Sequence, residues 1–186
     1  MTARVIDINK VLVDRCRKGD NRAQYELYHL YARQMYNVSI RIVGHAGEAE
    51  DILQDSFVEA FKRITDFREE STFGAWLKRI VVNRSVNYLR KRKLELFENI
   101  PGADQLVYEE DSVDATELQW EVKKVHRAIM ELPAGYRLVL TMYLLEGYDH
   151  AEIAQVLNIT ESTSKSQYNR AKARLKEQLK EKNYAG

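Results

Sequence analysis

Residues 146–171 constrain this chain more than any other stretch. Gly147 interrupts a helical pattern, and Asp149 follows as an N-cap whose carboxylate can accept from the free N–H groups of a new first turn. Ile153, Val156 and Leu157 then fall on one face at i, i+3, i+4. Asn158 stands where a left-handed turn residue is wanted, and Thr160 is placed to cap a second helix. The spacing predicts a helix-turn-helix. The outer side of its second helix carries Ser162, Lys165, Ser166, Asn169 and Arg170, short hydrogen-bonding groups and cations that suit base edges and phosphates. A core hairpin with a solvated outer face would show the same period. It would not require the cations that continue through Lys172, Arg174, Lys176, Lys180 and Lys182, opposed only by Glu177 and Glu181.

A length of 186 residues allows one large or two small domains, and 45% hydrophobic residues allow a packed core. With only 2 Pro and 8 Gly, the chain reads as mostly helical. The formal net charge of +1 averages over a strong pattern. From 62 to 93 the cations are Lys62, Arg63, Arg68, Lys78, Arg79, Arg84, Arg90, Lys91, Arg92 and Lys93, against Asp66, Glu69 and Glu70. From 94 to 119 the charges are Glu95, Glu98, Asp104, Glu109, Glu110, Asp111, Asp114 and Glu117, with no cation. The last helix is basic again. Such alternation predicts two polyanion-binding parts with an acidic spacer between them.

Several function classes fall away. No glycine-rich phosphate loop, metal-ligand cluster or nucleophile–base spacing is present, so no catalytic residue, metal or cofactor is expected. His29, His45, His126 and His150 are scattered and read as surface or satisfied residues. The lone Cys16 excludes an intramolecular disulfide, reads as a small buried helix residue, and fits a reducing cytoplasm. Apolar runs are too short to span a bilayer, and no extended apolar core follows Met1-Thr2-Ala3-Arg4, so neither membrane insertion nor a secretory leader is expected.

Along the chain, a first helix is predicted over 5–18 with Val5, Ile8, Leu12 and Cys16 near one face. Asp20 or Asn21 caps a second, running to about Val43, with Ala23, Leu27, Leu30, Tyr31 and Val38 inward. A third spans 48–64, burying Leu53, Phe57, Phe61 and Ile64 and turning Asp51, Gln54 and Asp55 to another face. Acids in a first turn also complement the helix dipole, so periodicity leaves two roles open for them. A polar loop from 65 to 71 holds one aromatic, Phe67. Ser71 or Thr72 then caps a fourth helix to about Arg92, with Phe73, Trp76, Leu77, Ile80 and Val81 apolar. Asn83 and Asn87 share one face at i, i+4; Asn is a poor helix former, which favours a contact role for the pair. A fifth helix over 116–131 buries Leu118, Val122, Val125 and Ile129, and a sixth spans 136–146. The resulting expectation is an all-α chain of two small helical domains, 5–93 and 116–183, joined by an acidic linker over 94–115. Fully extended, the whole acidic stretch 94–119 could span up to roughly 85 Å.

Two motif blocks carry a resemblance. Asp51-Ile52-Leu53-Gln54-Asp55-Ser56-Phe57, then Phe67 to Phe73, Trp76-Leu77, Ile80, Asn83 and Asn87-Tyr88-Leu89-Arg90 resemble the second conserved region of bacterial sigma factors. Leu132-Pro133, Tyr136-Arg137, Glu146-Gly147-Tyr148, Glu152-Ile153-Ala154 and Ser166 to Ala171 resemble the fourth. With no counterpart of the domain that lies between them in larger members, the chain resembles the compact extracytoplasmic-function group. The resemblance implies an initiation factor that binds core RNA polymerase and directs it to promoter DNA. It implies that Asp51, Gln54, Asp55 and nearby Phe61 dock on the polymerase. The loop from Asp66 through Phe67 and Arg68 to Ser71 would hold a base flipped from the single-stranded −10 element. Asn83 and Asn87 would touch the same strand, and Arg84 and Arg90 its phosphates. Ser162, Lys165, Ser166, Asn169 and Arg170 would read the duplex −35 element, with Arg170 suited either to a bidentate guanine contact or to a phosphate. An anti-sigma factor is an implied partner. Two departures stand out: Ser164 occupies a usually aliphatic position and should weaken the packing of the recognition helix, and Lys165 stands where Arg is common. The alternative, a stand-alone helix-turn-helix regulator, accounts for 136–182 but leaves the Asp51/Gln54/Asp55 face without a role.

Overall fold

The structure, a computed structural model, describes residues 8–98 and 117–184, with side-chain surroundings for 9–92 and 122–180. It divides into two compact units, Met1–Glu98 and Asn99–Gly186. Every regular element among the described residues is helical.

The first unit contains α1 (Ile8–Arg17), α2 (Asn21–Val43), α3 (Ala46–Lys62), a 3₁₀ turn (Ile64–Asp66) and α4 (Phe73–Glu98). Local chemistry sets the boundaries. The Asp20 carboxylate accepts from the Arg22 and Ala23 amides at 2.9 and 3.2 Å, capping α2. Arg15 Nε donates to the same carboxylate at 2.8 Å. The Arg15 contact and these amide bonds hold Asp20 below the usual carboxylate range. Gly44 ends α2 at φ 81°, a left-handed conformation that costs glycine little. The Thr72 hydroxyl accepts from the Ala75 amide at 3.2 Å and so is the cap of α4.

Helix α2 packs on α4 and α3, and α1 covers α2 and the 3₁₀ turn. Leu27, Met35, Ile42, Leu77, Val81, Val82 and Val86 are fully buried. Ser39 and Ser85, both inaccessible, meet across α2 and α4 with 3.3 Å between their hydroxyl oxygens. Because Ser85 donates to the Val81 carbonyl, Ser39 is left to donate to Ser85. Cys16 is buried as expected, and burial followed by the nearby Asp20 pushes its thiol up to about 11.

Three expectations need correction here. Leu30 points outward at 55% exposure, one residue away from the buried α2 stripe. Helix α3 stops at Lys62, and Ile64 reaches the core through the 3₁₀ turn instead. Helix α4 continues through 94–98 rather than ending near Arg92, because nothing before Pro101-Gly102 breaks it. The remainder of the acidic segment, 99–116, lies outside the described residues.

The second unit contains α5 (Glu117–Met130), α6 (Ala134–Leu144), α7 (His150–Leu157) and α8 (Glu161–Tyr184). Ile129, Leu132, Leu140 and Ala171 form its centre, with Tyr136, Tyr168 and Leu175 packed around them. Val122 and Val125, expected in the core, are exposed. Among the described side chains of α5, from Val122 on, the buried ones lie at its end, at Ala128, Ile129 and Met130.

The turn chemistry between α6 and α8 follows the expected pattern. Gly147 has φ 77°. Asp149 and Glu152 form a reciprocal capping box, at 2.7 Å to the Glu152 amide and 3.0 Å from the Asp149 amide. Asn158 adopts φ 53°, ψ 50°, and the Thr160 hydroxyl accepts from the Thr163 amide at 3.0 Å. Ser164, expected to weaken the packing, is instead inaccessible and lies 2.9 Å from His150 Nδ1. The His150 ring stacks on Tyr143 at 4.5 Å, and Tyr168 closes the cluster 4.6 Å from Tyr143. A hydrogen bond whose imidazole lies beside the Tyr143 and Tyr168 rings therefore joins α7 to α8 where an aliphatic contact was expected.

Two substitutions test this packing. Leu77→Ala should destabilise the first unit by about 2–5 kcal/mol, read as faster amide exchange confined to α2, α3 and α4. Ser164→Ala should cost about 1–3 kcal/mol, with faster exchange confined to the second unit; unchanged exchange there would remove the hydrogen bond from the account of how α8 is held.

Candidate functional site

Three surfaces emerge from these packed helices. On α3, Ile52, Leu53, Ser56, Phe57 and Ala60 face inward. That burial turns Asp51, Gln54 and Asp55 to solvent. Phe61 is half-buried, 5.8 Å from Phe57. Val58 is exposed on the same outward ridge, an apolar contact residue that sequence reasoning missed although it lies i+4 from Gln54. Beside the ridge runs a groove of about 340 Å³ between α2 and α3, lined by Tyr28, Ala32, Arg33, Tyr36, Glu50, Leu53 and Gln54.

A chain of ion pairs leads away from this face. Asp55 pairs with Arg84 Nη1 at 3.0 Å, and Arg84 Nε with Glu59 at 2.7 Å. Glu59 also pairs with Arg63 at 3.1 Å, and Arg63 with Asp66 at 3.1 Å. Burial raises the Glu59 carboxyl, but Arg84 and Arg63 outweigh it and hold the group below the ordinary glutamate range. The structure thus brings together Asp55, expected on one surface, and Arg84, expected on another. Arg84, read as a phosphate ligand, pairs with the α3 carboxylates Asp55 and Glu59.

The second surface is the loop after the 3₁₀ turn and the adjoining ridge of α4. Arg68 and Ser71 are exposed, as are Asn83, Asn87 and Arg90 on the helix. Arg90 Nη1 donates to Asn87 Oδ1 at 3.3 Å. Phe67 departs from the expectation that it faces a ligand. Its ring is buried against Phe73 and Trp76, with centroids 5.9 and 5.3 Å away. The loop is therefore plugged into the core at Phe67, and Arg68 and Ser71 are among the side chains left outside.

The third surface is the start of α8. Ser164, Tyr168, Ala171 and Leu175 pack inward, which leaves Ser162, Lys165, Ser166, Asn169 and Arg170 outward. All five expected residues share this face. Lys165 Nζ pairs with Glu161 at 2.6 Å, and the Ser166 hydroxyl donates to the Thr163 carbonyl at 3.0 Å. Glu161 was missed; its i, i+4 spacing from Lys165 was the available signal. Among the described residues no group of three or more His, Cys, Asp or Glu could hold a metal ion, and no helix is long and apolar enough to cross a membrane.

Comparison with known proteins follows the same division. Residues 27–95 match the sequence model of Sigma-70 region 2, and residues 123–175 that of Sigma-70, region 4. The chain is 29% identical over 184 residues to the ECF RNA polymerase sigma factor SigW of Bacillus subtilis, covering 92% of this chain and 97% of that one. It is 31% identical over 174 residues to the RNA polymerase sigma-H factor of Pseudomonas aeruginosa, covering 87% and 88%. In fold it is similar to the Bartonella quintana sigma factor RpoE solved with the anti-sigma factor NepR, with a TM-score of 0.60 at 23% identity over 84% of this chain and 96% of that one. It is also similar to CnrH in complex with the cytosolic domain of CnrY, with a TM-score of 0.53 at 22% identity over 92% and 97%. Two region models in the expected order, and a relative above 30% identity along most of both chains, place the protein in the Sigma-70 family, as a sigma factor of the extracytoplasmic-function group.

Proposed function

We propose that the two units divide promoter recognition between them. The first docks on core RNA polymerase through Asp51, Gln54 and Asp55 of α3, with Phe61 and Val58 as apolar neighbours, and holds the −10 strand with Arg68, Ser71, Asn83, Asn87 and Arg90. The second lays α8 in the major groove of the −35 element, where Lys165, Ser166, Asn169 and Arg170 meet base edges and phosphates. The observation that carries the reading is the clean separation of faces on α8: a buried stripe through Ser164, Tyr168 and Ala171 leaves five hydrogen-bonding and cationic side chains on one outward ridge. The acidic segment 94–115 links the two contacts, its carboxylates suited to a basic channel. The protein acts in the cytoplasm as a transcription factor and not as a catalyst. An anti-sigma factor is its expected inhibitor, and the exposed Val58 in one unit and Leu144 and Leu145 in the other are apolar contacts such a partner would cover.

Transcription from a promoter library with purified core polymerase tests this directly. Initiation that depends on the protein and shares a two-part motif supports the reading; specific duplex binding by the protein alone, with no initiation, favours a stand-alone regulator. Asp51→Ala combined with Asp55→Ala should weaken polymerase binding by about tenfold while leaving helical content unchanged, as titration of core polymerase would measure. Arg170→Ala should weaken binding to the selected −35 duplex by about tenfold; an equal loss on unrelated duplex would make it a phosphate contact only.

A further inference from the structure

One cluster is left unused by these three surfaces. It lies where α1 meets the loop after the 3₁₀ turn. Glu69 has φ 61°, a left-handed conformation that a glutamate seldom adopts and that surrounding structure must hold in place. Two cations of α1 converge on its carboxylate: Lys10 Nζ at 2.9 Å and Arg17 Nη1 at 2.8 Å. Arg17 Nη2 also donates to the Phe67 carbonyl at 2.5 Å, and its guanidinium lies 5.9 Å from the centre of the Phe67 ring. Asp14 accepts from the same guanidinium at 2.9 Å and orients it from within α1.

We propose that Arg17, helped by Lys10, is a positioning residue that clamps the loop at Phe67 and Glu69, so that the intervening Arg68 and the following Ser71 are presented outward in a fixed register for the −10 strand. The inference rests on reading residues 66–71 as the strand-capture loop. A lone exposed ion pair would hold little. Here one guanidinium spans a carboxylate and a backbone carbonyl two residues apart, and a second cation completes the carboxylate. The buried Phe67 ring anchors the side chain, Arg17 anchors the backbone at the Phe67 carbonyl, and Glu69, in its left-handed conformation, is held by Arg17 and Lys10. A loop ordered in advance spends less binding free energy on ordering itself when it takes up an unstacked base. The hydrogen bonds and charges of Lys10 and Arg17 also hold the Glu69 carboxyl below the usual range.

The test uses the full chain, with and without core polymerase, and a single-stranded oligonucleotide of the −10 motif that the library selects, carrying 2-aminopurine as a reporter of base capture. Arg17→Ala and Glu69→Gln should each weaken strand binding by about tenfold, and the double variant should lose little more than either alone. Duplex −35 binding and polymerase affinity should stay unchanged. The two variants separate the clamp from a phosphate contact, because their charges differ in sign. If Arg17 acts only as a cation near the strand, Glu69→Gln, which removes a negative charge, tightens binding; tightening or no change overturns the proposal. Glu69 lies at the surface, so Glu69→Gln gives this answer even if Arg17→Ala disturbs the fold. Arg68→Ala and Ser71→Ala decide which idea has failed. If they weaken capture while Glu69→Gln does not, the clamp is wrong and the loop assignment stands. If none of the four affects capture, the loop assignment falls and the clamp with it.

Discussion

A helical side chain recurs on the same face every three or four residues, so burying one stripe fixes where the opposite stripe points. Each candidate surface here depends on that constraint. Ile52, Leu53, Ser56, Phe57 and Ala60 hold α3 against α2 and α4, and Asp51, Gln54 and Asp55 face outward as a result. On α4, Leu77, Ile80, Val81 and Val86 are buried and Asn83 and Asn87 ride the exposed ridge. On α8 the inward residues are smaller and more polar, but the logic is the same. On the helices the contact residues need no special local conformation, because the core sets their direction; the loop residues Arg68 and Ser71 lie beside the left-handed Glu69.

Charge is divided less evenly than composition suggests. The basic stretch 62–93 looks like a uniform polyanion-binding surface, yet Arg63 and Arg84 are committed to Glu59, Asp55 and Asp66. Those pairs cross between α3, the 3₁₀ turn and α4, so they bind the elements of the first unit together at its surface. Arg68, by contrast, is carried outward by the loop between Phe67 and Glu69. Whether a cation serves the fold or a ligand is decided by the carboxylates within reach, which no count along the chain can supply.

The helix order, the caps at Asp149 and Thr160, the left-handed Asn158 and the outward face of α8 were all legible in the sequence, which left Asp20 or Asn21 and Ser71 or Thr72 open as the caps of α2 and α4. Each depends on neighbours within about one helical turn. What escaped depends on residues far apart in the chain. Arg84 meets Glu59 across two helices, and Arg17 meets Glu69 from the opposite end of the unit. Phe67 read as a loop aromatic because Phe73 and Trp76 come beneath it only after the chain has turned. Leu30, Val122 and Val125 fit the apolar period of their helices but find no partner layer there, since period alone does not say how far a neighbouring helix extends. Helix α4 outran its expected end because a change in charge is not a helix breaker.

Ser164 shows how a departure from a family pattern can preserve its purpose. An aliphatic residue at that position holds the recognition helix by nondirectional packing, which tolerates some rotation of one helix on the other. The Ser164 hydroxyl replaces this with a directed bond to His150 Nδ1 at 2.9 Å, and the stacked Tyr143 limits movement of the imidazole. His150 opens α7 and Ser164 lies in the first turns of α8, so the bond ties the two helices near their N-terminal ends. A hydroxyl can donate to a bare Nδ1 or accept from an Nδ1–H, so the contact can form with either tautomer of the ring. The pose of the outward ridge, from Ser162 to Arg170, therefore rests on a contact more directional than the packing it replaces.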